Sequence, residues 1–326
     1  MPVSSWKSCI RSFALAASLT AVSAAAHAAD KVTVAVTAIV EHPALDAVRD
    51  GVHERLKEAG YSDDNLQFIY ESAQGQPATA AQIARKFVGM SPNVIVAVST
   101  PSAQAAAAAT KDIPIVFSAV TDPVVAGLVK SFKADGSGNI TGVSDLSPIA
   151  AQVDLFKKIQ PALKRIGTVY NPGESNSLVS LELLKQVAKA QGMEVVAAPA
   201  NRTADVRNAA QTLIGQVDAI YLPPDNTVTA ALETVVNVAR EAKLPVYAND
   251  SASVEKGAIA TVGFSYLDIG RQTGDIVVRI LKGEKPGAID SQYAKGTEIV
   301  LNKSAAASYG ITIPESVLSK ATKVLN

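Results

Sequence analysis

The residues best suited to chemistry in this chain are hydroxyls, carboxamides and carboxylates gathered in short runs, each directly after a stretch of apolar sequence. The runs are Ser99-Thr100-Pro101-Ser102, Asn171-Pro172-Gly173-Glu174-Ser175-Asn176, Pro223-Pro224-Asp225-Asn226-Thr227 and Asn249-Asp250-Ser251. Side chains of these types cap helices, and a helix start carries free N–H groups and the positive end of the aligned peptide dipoles. Such a start favours an anion or a polar ligand. One run alone reads as ordinary capping, whereas several in corresponding places point to a shared binding site.

Motifs for bond-making chemistry do not accompany these runs. There is no Gly-x-Ser-x-Gly elbow, no Walker A sequence and no His-Glu-x-x-His helix. Gly136-Ser137-Gly138 starts like a dinucleotide fingerprint, but its third glycine is out of register and no strand leads directly into it, so it reads as linker. His42 and His53 are too few for a histidine-based metal site without carboxylate help. His53 reads as a solvated helix-face residue. His42, just before Pro43, reads as a helix-entry residue facing a cleft. The carboxylates form no evident acid–base pair. Binding therefore outranks catalysis, and neither a cofactor nor a metal is expected. The alternatives are an exported hydrolase using cleft carboxylates and a ligand sensor for a membrane receptor.

The elements that must position these residues alternate regularly. Strand-like runs fall at Val32–Ala38, Gln67–Tyr70, Val94–Val98, Ile113–Ser118, Arg165–Tyr170, Glu194–Ala198, Asp218–Leu222, Leu244–Ala248 and Ala258–Phe264. Amphipathic stretches lie between them, among them Ala44–Ala59, Ala78–Met90, Ile149–Ile159, Leu178–Gln191, Ala204–Ile214 and Val228–Ala242. This alternation predicts an α/β fold of right-handed βαβ units with parallel sheets covered on both faces. In such sheets ligands bind at the carboxyl ends of the strands, where the polar runs sit. A further helix starts at Ser265, a good N-cap with Asp268 three residues on, and Gly283 closes it. The Gly/Ser/Asn-rich stretch Gly136–Asp145 reads as the first crossing between two lobes.

Two lobes also suit the length of 326 residues. The first 28 residues read as a secretory leader: Lys7 and Arg11 are the charged region, Phe13 to about Val22 the apolar region, and Ala26-His27-Ala28 the cleavage site. Cleavage near Ala28 would remove Cys9 and Trp6, the single cysteine and tryptophan, leaving an exported chain without disulfides. No later apolar run reaches the length of a membrane span. With 30 basic and 30 acidic residues in the whole sequence there is no basic surface for nucleic acid.

Taken in order, several segments resemble the periplasmic substrate-binding proteins of ABC transporters, specifically the tryptophan/tyrosine-type substrate-binding family. They are His42-Pro43-Ala44-Leu45-Asp46, Ser118-Ala119-Val120-Thr121-Asp122-Pro123-Val124 with Gly127-Leu128-Val129, Gly142-Val143-Ser144-Asp145, and Tyr170 through Ser177. Leu222-Pro223-Pro224-Asp225-Asn226, Asn249-Asp250, Gly270-Arg271-Gln272 and the tail from Glu298 to Pro314 continue the likeness. The resemblance implies a type I periplasmic-binding fold: two Rossmann-like lobes with parallel sheets, joined by a three-crossing hinge near Val143–Asp145, Phe264–Ser265 and Ile289–Gln292. It divides the chain into 1–28 (leader), 29–144 plus 265–290 (first lobe) and 145–264 plus 291–326 (second lobe). A periplasmic monomer is expected that binds a small ligand in the interlobe cleft and delivers it to the membrane permease.

The resemblance favours an aromatic amino acid as ligand, with another small carboxylate as competitor. A zwitterion needs donors for its carboxylate and acceptors for its ammonium. Ser99, Thr100 and Ser102 suit the carboxylate from the first lobe, and Ser175 and Asn176 from the second. Asp225 and Asp250 are the candidates for the ammonium, with Asp122 and Asp145 as alternatives. Thr37, His42, Asn171 and Asn226, at or beside strand ends, complete the polar set. Phe117 and Phe264, with Tyr266 nearby, are placed to stack on a flat ligand. Tyr170, Tyr221 and Tyr247 read as core residues.

Overall fold

Valine, isoleucine and alanine runs with no polar alternation, such as Val94–Val98, are buried along their whole length and build sheets covered on both faces. In the computed structural model, which describes residues 31–326, β1 (Val32–Ala38), β2 (Leu66–Ser72), β3 (Val94–Val98), β4 (Ile115–Ser118) and β5 (Ile140–Ser144) lie side by side. All are parallel, in the order β5-β4-β3-β1-β2. Helices α1 (Pro43–Glu58), α2 (Pro77–Met90) and α3 (Thr100–Ala109) connect them. The leader reading, with Cys9 and Trp6, falls outside the described residues.

After β5 the chain enters a second core through α4 (Ile149–Ile159). There β6 (Arg165–Tyr170), β7 (Glu194–Pro199), β8 (Ala219–Leu222) and β9 (Val246–Ala248) form a parallel sheet of order β7-β6-β8-β9. Helices α5 (Ser175–Ala190), α6 (Val206–Thr212), α7 (Asn226–Ala230), α8 (Leu232–Glu241) and α9 (Ser251–Glu255) connect and flank these strands. Following β10 (Ala260–Gly263), helix α10 (Tyr266–Leu281) returns to the first core, where Ile269, Ile276 and Val277 are buried. Strand β11 (Gln292–Tyr293) adds to β5 at the edge of the first sheet, so that sheet extends past residue 290. Finally β12 (Glu298–Asn302), antiparallel to β10, and β13 (Lys323–Leu325) make a three-stranded sheet beside the second core, with α11 (Lys303–Ser308) and α12 (Glu315–Leu318).

Helix α10 is seated on α1 by paired glycines. A Cβ on Gly270 would lie 2.2 Å from the Val48 carbonyl oxygen, and one on Gly51 would lie 2.2 Å from that of Leu267. Only hydrogen fits at this crossing. The predicted cap of α10 forms, with Ser265 Oγ accepting from the Asp268 N–H at 3.2 Å.

Three expectations change. Gly136–Asp145 is not all crossing, because Ile140–Ser144 is strand β5 of the first sheet. Its Gly142 is required by the neighbouring strand, since a Cβ there would lie 2.0 Å from the Phe117 carbonyl oxygen. The helix expected over Val228–Ala242 is interrupted at Ala231 between α7 and α8. His53 is half-buried, stacked on Phe68 with ring centroids 4.4 Å apart.

Candidate functional site

The carboxyl ends of strands from both sheets face one cleft, which holds about 370 Å³ of space, its mouth included. On the first-lobe side the backbone turns sharply after β3 and β4. Ser99 has φ 78° and Ala119 φ 51°, left-handed values that cost energy for residues with a Cβ. The Ser99 N–H donates to the Ser118 carbonyl at 2.9 Å, which ties the two turns together. Pro101 follows in the first turn of α3, where no N–H is needed. The hydroxyls of Ser99, Thr100 and Ser102 are buried with no hydrogen-bond partner among the described residues. At the start of α5, on the second-lobe side, Ser175 Oγ and Asn176 Oδ1 are in the same condition. Thr100 and Asn176 line the same cleft. Two helix starts with unpaired buried polar atoms thus meet across it: an acceptor-rich anion would satisfy the hydroxyls, and a donor the Asn176 oxygen.

Acidic side chains supply the remaining character. Asp145, Asp225 and Asp250 line the cleft and are all buried. Asp225 Oδ1 accepts from the Val228 N–H at 2.8 Å, and Oδ2 accepts from the Asn171 N–H and the Ser177 hydroxyl, both at 2.6 Å. Asp250 caps α9 by accepting from the Ser253 N–H at 2.8 Å and the Ser253 hydroxyl at 2.6 Å. Asp145 accepts from the Tyr266 hydroxyl at 2.8 Å and the Thr121 hydroxyl at 3.3 Å. Behind this wall Glu174 takes the side chains of Asn171, Asn176, Asn226 and Thr227 and two backbone N–H groups, joining the starts of α5 and α7.

None of these four carboxyls belongs to an ion pair among the described residues, and no lysine or arginine lines the cleft. Burial pushes Asp145 and Asp250 above the usual carboxylate range. Burial first, then the neighbouring Glu174, pushes Asp225 up to about 7. Buried carboxyls without a cation favour a ligand that brings one. His42 caps α1, its Nδ1 accepting from the Leu45 N–H at 3.4 Å. Burial, and secondarily Lys256, lowers its pKa to about 4. The ring is therefore neutral at neutral pH, with its proton on Nε2.

Of the residues expected at the site, the cleft gathers His42, Thr100, Asp145, Asn176, Asp225, Asn226 and Asp250. Ser99, Ser102 and Ser175 lie just behind, at the same helix starts, and Asn171 holds the turn by accepting from the Gly173 N–H at 2.8 Å. Thr37 is buried within β1, away from the cleft lining. Asp122 caps its own turn, accepting from the N–H groups of Val124 and Val125. Phe117 is wholly buried in the first core, and Phe264 packs against that core from the hinge. Neither phenylalanine lines the cleft, and Phe117 instead packs closely against Gly142 of the neighbouring strand. Tyr221 and Tyr247 are core residues, as expected, Tyr247 stacking on Phe156 at 4.3 Å.

Sequence reasoning missed Thr121, and it left Asn249 and Glu174 out of the candidate set although both stand in the polar runs. The signal was present for the last two. Tyr266 was noted only for its ring, whereas its hydroxyl is what reaches the acidic wall. Among the described residues no cluster of histidine, cysteine, aspartate and glutamate is placed to hold a metal ion, and no helix is long and apolar enough to cross a membrane.

Comparison with known proteins agrees with this arrangement. Residues 33–325 match the family described as ABC transporter substrate binding protein. A tyrosine-binding protein of Clostridioides difficile is 40% identical over 271 residues, covering 83% of this chain and 78% of the relative. A Streptococcus pneumoniae ABC domain solved in complex with L-Trp is 36% identical, covers 91% of this chain and 100% of that one, and superposes with a TM-score of 0.88. The ligand-free, open structure of a substrate-binding protein with adhesive properties from Clostridium difficile is 38% identical, covers 90% and 99%, and superposes at 0.67. The architecture is the type I periplasmic-binding fold. With the family matched over nearly all the described residues, the chain belongs to the ABC transporter substrate-binding proteins.

Proposed function

We propose that this protein binds an aromatic amino acid, tyrosine or tryptophan, between its lobes and delivers it to the membrane permease of an ABC importer. The observation that carries the reading is the polarity of the cleft. Unpaired hydroxyls at the starts of α3 and α5 suit a carboxylate, and the acidic wall of Asp145, Asp225 and Asp250, free of basic partners among the described residues, suits an ammonium. Asp145 is the better ammonium acceptor, because each of its oxygens accepts from a single hydroxyl, whereas Asp225 and Asp250 each also accept a backbone N–H of their own lobe. Ser99, Ser102 and Ser175 then act on the carboxylate beside Thr100 and the backbone N–H of Asn176 at the start of α5.

Relatives that bind tyrosine and L-Trp support the ligand class. At comparable identity the chain superposes better on the L-Trp complex than on the ligand-free, open structure. That difference supports reading the described arrangement as the closed one. Closure follows from a ligand that contacts both lobes only when they meet. The protein works as an exported periplasmic monomer without a chemical step, its leader removed near Ala28. The lobes comprise 29–144 with 265–290 and 145–264 with the remainder, β11 excepted.

Isothermal titration of the purified protein tests this. L-Tyrosine or L-tryptophan should bind with micromolar or better affinity. The matching analogues lacking the ammonium, 3-(4-hydroxyphenyl)propanoate, or the carboxylate, tyramine, should bind at least about 100-fold more weakly, as expected when buried charged groups lose their partner. Equal binding of all three would overturn the zwitterion reading.

A further inference from the structure

The Tyr266 hydroxyl lies between the two lobes. It is 2.8 Å from Asp145 Oδ2 and 3.4 Å from the carboxamide of Asn249. Tyr266 opens α10, which the Gly51–Gly270 crossing fixes to the first lobe. Asp145 follows β5, on the chain's first passage out of that lobe. Asn249 belongs to the second lobe, where its N–H donates to the Leu222 carbonyl at 3.1 Å. Turned so that its side-chain nitrogen faces the Leu222 carbonyl at 3.2 Å and Asp250 Oδ2 at 3.3 Å, the Asn249 carboxamide donates to both. Its oxygen then faces the Tyr266 hydroxyl. All three side chains line the cleft.

We propose that Tyr266 is a positioning residue for ligand recognition: its hydroxyl aims the Asp145 carboxylate at the ligand ammonium. The inference rests on the reading of Asp145 as an ammonium acceptor. A phenol donates one proton, and an ionised carboxylate at 2.8 Å is the stronger claimant for it. Together with the Thr121 hydroxyl, the Tyr266 hydroxyl opposes the burial that favours the protonated acid at Asp145. The other titratable groups facing this pair are Asp250 from α9 and Asp225 from the start of α7, with neutral His42 from α1. Lys256 and Glu255 lie farther out at the end of α9.

Tyr266→Phe keeps the ring and removes the donor, so the carboxyl of Asp145 should titrate at higher pH. Calorimetric titrations between pH 5 and pH 9 with L-tyrosine and with 3-(4-hydroxyphenyl)propanoate measure the consequence. The variant should bind L-tyrosine about tenfold more weakly at pH 7, the scale of one hydrogen bond to a charged group. The acid limb of its affinity should move to higher pH, while the affinity for the propanoate changes less than about twofold. Equal losses for both ligands with an unmoved acid limb, or no loss at all, would overturn the role of Tyr266 alone. A wild-type protein that does not distinguish the two ligands would overturn the ammonium reading, and this inference with it. Asp145→Asn gives an independent check that does not need the Tyr266 variant to fold. Its affinity for L-tyrosine should lack the wild-type acid limb, and an acid limb retained intact would contradict the proposal. In the Asp145→Asn background, adding Tyr266→Phe should cost less than about twofold, because the partner is gone; a further tenfold loss would contradict it as well.

Discussion

Glu174 and Asp225 show how two acidic side chains from neighbouring polar runs take different work. Glu174 is buried and holds donors from Asn171, Asn176, Asn226 and Thr227. Replacing it with alanine leaves those donors unpaired together. Glu174→Ala should lower the unfolding free energy by at least about 3 kcal/mol in urea titration. Asp225 carries the electrostatic cost of that neighbour, since burial and then the Glu174 charge push its carboxyl from the ordinary 3.8 up to about 7. A carboxyl raised on folding contributes stability that is fully present below about pH 4 and is lost as pH rises through about 7. The melting temperature of the wild type minus that of Asp225→Asn should therefore be larger at pH 5 than at pH 8, and a difference independent of pH would contradict the assignment. The sequence marked both residues as strand-end polar groups. Which of them turns inward could not be read there, because it depends on α7 returning to meet α5.

Among the elements, the parallel strands and their helices were legible because fully apolar runs such as Val94–Val98 have few alternatives to a covered sheet. Strand β5 was not, since Ile140-Thr141-Gly142-Val143-Ser144 sits in a stretch rich in glycine, serine and asparagine. Its glycine is demanded by Phe117 one strand away, a contact that no local pattern encodes. The α1–α10 crossing is similar. Gly270 lies inside a well-capped amphipathic helix, where glycine is locally unfavourable, and its reason is the Val48 carbonyl on α1. Gly270→Ala should gain helix propensity yet destabilise the protein by about 1–3 kcal/mol through overpacking. Chemical unfolding measures it, and an unchanged or raised midpoint would show that the two helices can move apart freely.

At the scale of the whole molecule, the cleft works because the chain passes between its cores more than once. Strand β5 hands over to α4, β10 to α10, and β11 to β12, which places Asp145 and Tyr266 beside Asn249. The lobes and their parallel sheets were readable from alternation and length, and the candidate loops from their cap-type residues. Which loops meet was not readable, since that depends on how the two cores face each other. This explains why Asp145 and Tyr266 came out more central than Asp122 or Phe117.

A crystal structure of the protein with bound L-tyrosine tests the central claim most directly. The ligand carboxylate should lie within hydrogen-bonding distance of the Thr100 hydroxyl and the start of α5 at Asn176, with its ammonium on Asp145 or Asp250. A ligand bound outside the interlobe cleft, or one whose ammonium touches none of the three aspartates, would contradict the account.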